Sequence, residues 1–103
     1  MKILLAGGSG GVGTAVIPYL RTRHEIRVLD LNPPKHDVEY VQGSMTDLEA
    51  LNLALDGVDS FITMVMKGGQ DGLDREHSIE QAQDNYQVNC IGLHLLLLNA
   101  FER

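Results

Sequence analysis

Four apolar-rich runs, each closed by glycine or proline, alternate along this chain with segments whose apolar residues recur at helical spacing. Ile3 to Ala6 is continuously apolar and ends in Gly7-Gly8, the pattern of a strand buried on both faces. From Gly11 to about Thr22 the apolar positions are Val12, Ala15, Val16, Tyr19 and Leu20, which predicts a helix. Pro18 falls inside it and predicts a kink or an early end. Ile26 to Leu31 reads as a second buried strand, stopped by Asn32-Pro33-Pro34, and Val38 to Val41 as a short third. Thr46-Asp47-Leu48-Glu49 matches a capping box with Thr46 as N-cap. The helix it opens would turn Leu48, Leu51 and Leu55 inward and end near Asp56-Gly57. Val58 to Met66 predicts a fourth strand, 67–72 a glycine-rich loop, and Leu73 to Arg103 a helical stretch that is almost wholly apolar from Val88 to Phe101.

Strand-helix-strand followed by strand-helix-strand-helix is the rhythm of an α/β, doubly wound parallel sheet. Right-handed crossovers then predict the strand order 3-2-1-4. The expectation is one Rossmann-like half-domain over 1–103, with a truncated sheet, since a full nucleotide-binding sheet uses about six strands.

Charge narrows the partners. Eight Lys and Arg against fourteen Asp and Glu give a net charge of -6, and the basic residues are scattered. That argues against nucleic acid and against an anionic membrane, which need a basic face. It does not argue against a dinucleotide, whose phosphates are held by backbone N–H groups at a helix start. No stretch approaches the roughly 20 apolar residues of a membrane span. The lone cysteine, Cys90, permits no internal disulfide and reads as a buried, inert thiol on an apolar helix. The default location is therefore cytoplasmic. His24, His36, His77 and His94 lack metal-ligand spacing and read as surface or helix-packing residues, so no metal is expected.

The segment Ala6-Gly7-Gly8-Ser9-Gly10-Gly11-Val12-Gly13 lies between the first strand and the first helix. Two spacings fit a dinucleotide loop: Gly8, Gly10, Gly13 as G-x-G-x-x-G, and Gly7, Gly10, Gly13 as G-x-x-G-x-x-G. One glycine permits the sharp turn, one lets backbone approach a pyrophosphate, and one lets helix pack close on strand. Gly11 and Val12 would present first-turn N–H groups to the phosphates. Asp30 closes the second strand, where a carboxylate can accept from both adenosine-ribose hydroxyls and repel a 2′-phosphate. Leu31 and Asn32 follow with no arginine to receive that phosphate, so NAD is expected rather than NADP.

On these residues the chain resembles the N-terminal part of the extended short-chain dehydrogenase/reductase family, the NAD-dependent epimerases and dehydratases. Gly7-x-x-Gly10-x-x-Gly13 has that family's spacing. Val41-Gln42-Gly43-Ser44-Met45-Thr46-Asp47 is similar to its adenine-pocket segment, with Ser44 in place of the usual Asp and Met45 placed to flank the ring. Asp47 matches that segment's second acid, although an acid in a helix first turn also has a purely structural role. Gly57 to Met66 is similar to the fourth strand, with Val65 and Met66 in place of two alanines beside the cofactor, and Lys67 after them is either a phosphate contact or a solvated loop lysine. Tyr86-Gln87-Val88-Asn89-Cys90-Ile91-Gly92 is close to the family's Tyr-x-x-Asn-Val-x-Gly helix signature, which implies that Asn89, counted here with the cofactor site, supports the active-site water and lysine, although a lone helical Asn is otherwise often a buried, hydrogen-bonded polar group.

The resemblance also implies a Tyr-x-x-x-Lys pair as the proton-transfer machinery. Tyr19, Tyr40 and Tyr86 are followed four positions later by Arg23, Ser44 and Cys90, so the pair does not occur here. The leading expectation is the NAD(H)-binding portion of an epimerase/dehydratase-like protein, inactive by itself. The alternatives are a dinucleotide-sensing regulatory module without turnover, and a gene remnant that persists as a dimer. An open fourth-strand edge and the apolar helix over 78–103 both predict homodimerisation.

Overall fold

The computed structural model describes residues 1–65, 80, 83, 84 and 86–102. Met66, the glycine-rich loop with Lys67, His77 and the beginning of the last helical stretch lie outside the described residues. Four parallel strands, β1 (Lys2–Ala6), β2 (Glu25–Asp30), β3 (Glu39–Gln42) and β4 (Ser60–Thr63), form one sheet in the order β3-β2-β1-β4. This is the expected order. It follows from right-handed crossovers that wind first one way and then the other from β1.

Alternation along β1 sorts the core into two layers. Ile3 and Leu5 face α1 (Gly11–Leu20), packing with Ile17, Ile26 and Val28. Leu4 and Ala6 face the opposite side, where they meet Leu29, Leu51, Leu55 and Leu96. The second layer is supplied by α2 (Leu48–Leu55) and α3 (Leu93–Phe101). Each buried leucine or isoleucine contributes about 1.5–3 kcal/mol by leaving water.

Several expectations are corrected at the level of single side chains. The inward residue of α1 is Ile17, whereas Val12 and Tyr19 are exposed, because one helical face covers β1 and β2 and those two point off it. The helix runs through Pro18 to Leu20. The N-cap of α2 is Asp47 rather than Thr46: its carboxylate accepts the N–H groups of Glu49 and Ala50 at 3.1 and 3.4 Å. Thr46 is drawn away by Ser44, whose hydroxyl lies 2.9 Å from its own and accepts its N–H. With the start moved by one residue, Leu48 is exposed, and Ala50 and Ala54 join Leu51 and Leu55 inside.

Arg27 is the buried cation that the apolar pattern of β2 concealed. Its Nη1 donates to the carbonyls of Leu53, Ala54 and Asp56 at 3.1, 2.8 and 2.6 Å. These lie at the C-terminal end of α2, where helix carbonyls lack intrahelical donors and the dipole favours a cation. Nη2 pairs with Glu39 at 3.0 Å, and Lys2 reaches the other Glu39 oxygen at 2.8 Å. One guanidinium thereby joins β2, β3 and the end of α2, and the two cations hold the Glu39 carboxyl below its ordinary value, Arg27 having the larger effect.

Within the C-terminal helical stretch, a π-helical turn (Gln87–Gly92) runs directly into α3. Gly92 is buried against Met45, and Leu96 is fully buried below it. Cys90 is exposed, contrary to the buried thiol expected, because the turn directs Gly92 inward and Cys90 outward. Leu97, Leu98 and Phe101 are also exposed, so α3 buries one side only, not two.

Candidate functional site

A cleft of about 390 Å³ opens at the C-terminal ends of the strands, beside the turn from β1 into α1. This is the crevice at which open α/β sheets bind ligands. Its floor comes from the glycine loop, one wall from Asp30 and Leu31, another from Ser44 and Met45, and the far side from Val65 and Val88. Asp30 is the one charged side chain lining it among the described residues.

The glycine loop has the conformation its composition demands. Gly7 has φ +83°, a left-handed value that disfavours other residues, and a Cβ there would meet Val65 at 2.9 Å. Its N–H still donates to Leu29 O at 2.8 Å, extending the β1–β2 ladder by one bond before the chain turns. Gly13 faces a different constraint, because a Cβ would overlap the carbonyl of Gly8, so α1 starts closer to the loop than any side chain allows. Gly10 is the contrast: a Cβ would meet nothing nearer than Gly7 O at 3.6 Å, and it faces the cleft. Gly10 is also the N-cap of α1, without a side-chain cap. The N–H groups of Gly11, Val12 and Gly13 form the first turn, and such groups have no intrahelical acceptor. Gly11 and Val12 stand beside the cleft rather than in its lining.

Asp30 is built into this loop. Its Oδ2 accepts the N–H of Ser9 at 3.1 Å and its Oδ1 the N–H of Asn32 at 3.1 Å. The Ser9 hydroxyl donates to Asn32 O at 2.7 Å, closing a small ring between the two loops. The carbonyl of Asp30 accepts Gly43 N–H at 3.0 Å and the Tyr40 hydroxyl at 3.1 Å. Burial, and then the nearby Asp30 charge, raise the Tyr40 phenol above its ordinary value, so it stays a neutral donor. Each carboxylate oxygen retains a second lone pair for a ligand hydroxyl.

The residues singled out from the sequence are thus brought together unequally. Gly7, Gly10, Asp30, Ser44, Met45 and Val65 line one cleft. Ser44 is engaged with Thr46, and Met45 is almost wholly buried beneath Gly92. Asn89 is half-buried in the π-helical turn, while the side of that turn which reaches the cleft is Val88. Val88 carries no polar group, so no chemical signal in the sequence singled it out. Among the described residues no group of His, Cys, Asp and Glu is placed to hold a metal ion, and no helix is long and apolar enough to cross a membrane.

No protein-family model matches the chain. A 3 beta-hydroxysteroid dehydrogenase/Delta 5-->4-isomerase of Mycobacterium tuberculosis (strain CDC 1551 / Oshkosh) is 31% identical over 105 aligned residues, covering 93% of this chain and 27% of that protein. Among solved structures, a short-chain dehydrogenase/reductase superfamily protein from Agrobacterium tumefaciens with bound NAD superposes with a TM-score of 0.82 and 31% identity. That match covers 97% of this chain and 29% of the other. The UDP-glucose 4-epimerase of Thermus thermophilus, in complex with NAD, shares the fold at a TM-score of 0.73 and 24% identity, over 94% of this chain and 32% of that one. The chain spans less than a third of the length of each of these relatives.

Proposed function

The chain belongs to the extended short-chain dehydrogenase/reductase family, and from that premise we propose that it holds NAD(H) as the cofactor-binding portion of an epimerase/dehydratase-like protein. The observation that carries this reading is the single cleft in which Gly10, at the start of α1, and Asp30, at the end of β2, face the same space. A pyrophosphate on the first-turn N–H groups of Gly11, Val12 and Gly13 would place an adenosine ribose against Asp30. The carboxylate accepts from two ribose hydroxyls and repels a 2′-phosphate, and no basic side chain among the described lining residues offsets that repulsion. Ser44 and Met45 would border the adenine, with Val65 toward the nicotinamide end and Asn89 behind Val88 in the adjoining helical turn.

NAD supplies hydride transfer when bound; the residues of this chain bind and orient it. Titration of the chain with NADH and NADPH, followed by nicotinamide fluorescence and calorimetry, tests the cofactor assignment. NADH should bind more tightly, and Asp30→Ala should narrow the gap. Absence of binding by either cofactor at millimolar concentration would refute it.

The exposed Leu97, Leu98 and Phe101 on α3 favour a homodimer. The free thiol of Cys90 fits a reducing, cytoplasmic compartment.

A further inference from the structure

We infer that His36 is a positioning residue for the ribose edge of the dinucleotide cleft, acting through the carbonyl that Pro18 leaves without its helical donor; this inference rests on the cofactor reading above. Inside α1 the residue at position 18 would ordinarily donate its N–H to Thr14 O, and proline has none to give. His36 Nε2 lies 2.9 Å from that oxygen. A carbonyl only accepts, so Nε2 carries the proton and donates. The half-buried ring thereby supplies, from the loop between β2 and β3, the hydrogen bond missing from the helix.

That loop is part of the cleft. Leu31 lines it, and Asn32 donates its N–H to Asp30, the carboxylate assigned to the ribose. Pro33 and Pro34 follow with φ restricted by their rings, so a displacement at His36 is passed back along a stiff segment. The segment is fastened at two places to the unit that would hold the pyrophosphate: Ser9 Oγ to Asn32 O near the cleft, and His36 to Thr14 O farther along α1. Beyond His36, Val38 packs on the Ile17 layer. The spacing between the ribose wall and the phosphate-binding turn is therefore set partly by a proline and a histidine that touch neither group.

Amide hydrogen exchange over residues 31–38, and NADH and NADPH affinities, would be measured for the full chain and for His36→Ala, His36→Gln, Pro18→Ala and the Pro18→Ala/His36→Ala double variant. His36→Ala should speed exchange at Asn32 and weaken NADH about three- to tenfold, the loss of one hydrogen bond, with little change for NADPH. His36→Gln, which retains a donor at similar reach, should restore both. Pro18→Ala returns the helical N–H to Thr14 O, where it competes with His36, so it should move exchange and the NADH/NADPH ratio in the direction of the His36→Ala effect while strengthening α1. The double variant should then be no worse than either single one. A purely structural histidine would lower thermal stability and leave the cofactor ratio unchanged. That result, or additive effects of the two substitutions, would overturn the inference. If the wild-type chain binds neither cofactor, the cofactor reading falls and takes the ribose role of His36 with it; unchanged exchange in His36→Ala, with NADH still bound by the wild type, removes the His36 inference alone.

Discussion

The Asp30 carboxylate lies 3.1 Å from the backbone N–H of Ser9, so the residue assigned to the ribose also braces the glycine loop from within. Its other oxygen holds Asn32 N–H. Asp30→Asn keeps the shape but turns one acceptor into a donor, which must face one of these N–H groups. We expect a loss of about 1–2 kcal/mol in urea unfolding and faster amide exchange at Ser9 or Asn32, even with no cofactor present. Unchanged exchange at both amides would show that the contact carries no stability.

Gly10 and Gly13 should separate binding from folding. Gly13→Ala drives a methyl group into the Gly8 carbonyl, and the backbone must shift. The expected cost is about 2–3 kcal/mol, read as a lowered Tm. Gly10→Ala has room at the same loop, so its Tm should stay near wild type. The added methyl would nevertheless stand where backbone must approach a pyrophosphate, and NADH titration should show a loss of affinity of at least about tenfold.

Arg27 should be among the most sensitive polar positions. Arg27→Met fills similar volume but leaves the carbonyls of Leu53, Ala54 and Asp56 without their donor. About 2 kcal/mol of stability should be lost by thermal or urea unfolding.

The pH dependence follows from Glu39. Arg27 first, and Lys2 second, lower its folded pKa below the ordinary 4.5. In the window between the two values the unfolded chain binds more protons, so stability rises with pH there. The contribution is present above about pH 4.5 and is lost as pH falls through the lowered folded value. Because the Glu39 side chain is 49% exposed, solvent screening keeps it below about 1 kcal/mol. Unfolding curves from pH 3 to 6 should show a shallower acid limb for Glu39→Gln.

The uncovered side of α3 predicts an oligomer. Sedimentation velocity should find a dimer, and Leu98→Glu with Phe101→Glu should convert it to monomer without loss of helix signal. A wild-type chain that remains monomeric at high concentration would remove the dimer from the proposal.

What the sequence by itself determined is the part governed by local chemistry and period. Short apolar runs closed by glycine or proline read as strands, and short connections with right-handed crossovers leave one order for four of them. Gly7, Gly10, Gly13 and Asp30 were legible because a tight turn, a close helix approach and an acid at a strand end each require particular residue types at particular spacings. Tertiary structure decided whatever depends on which face meets which neighbour. Tyr19 and Leu48 share the apolar character of Ile17 and Leu51, yet the former are exposed, since a helix turned by one residue covers the sheet with a different set. Thr46 and Asp47 are both good caps, and the neighbouring Ser44 hydroxyl left the role to Asp47. Arg27 enters an apolar layer because the end of α2 brings three carbonyls to it, which no pattern within β2 can announce. The same holds for His36: Pro18 implies an unpaired carbonyl one turn earlier, but only the folded chain brings a donor to it from 22 residues away.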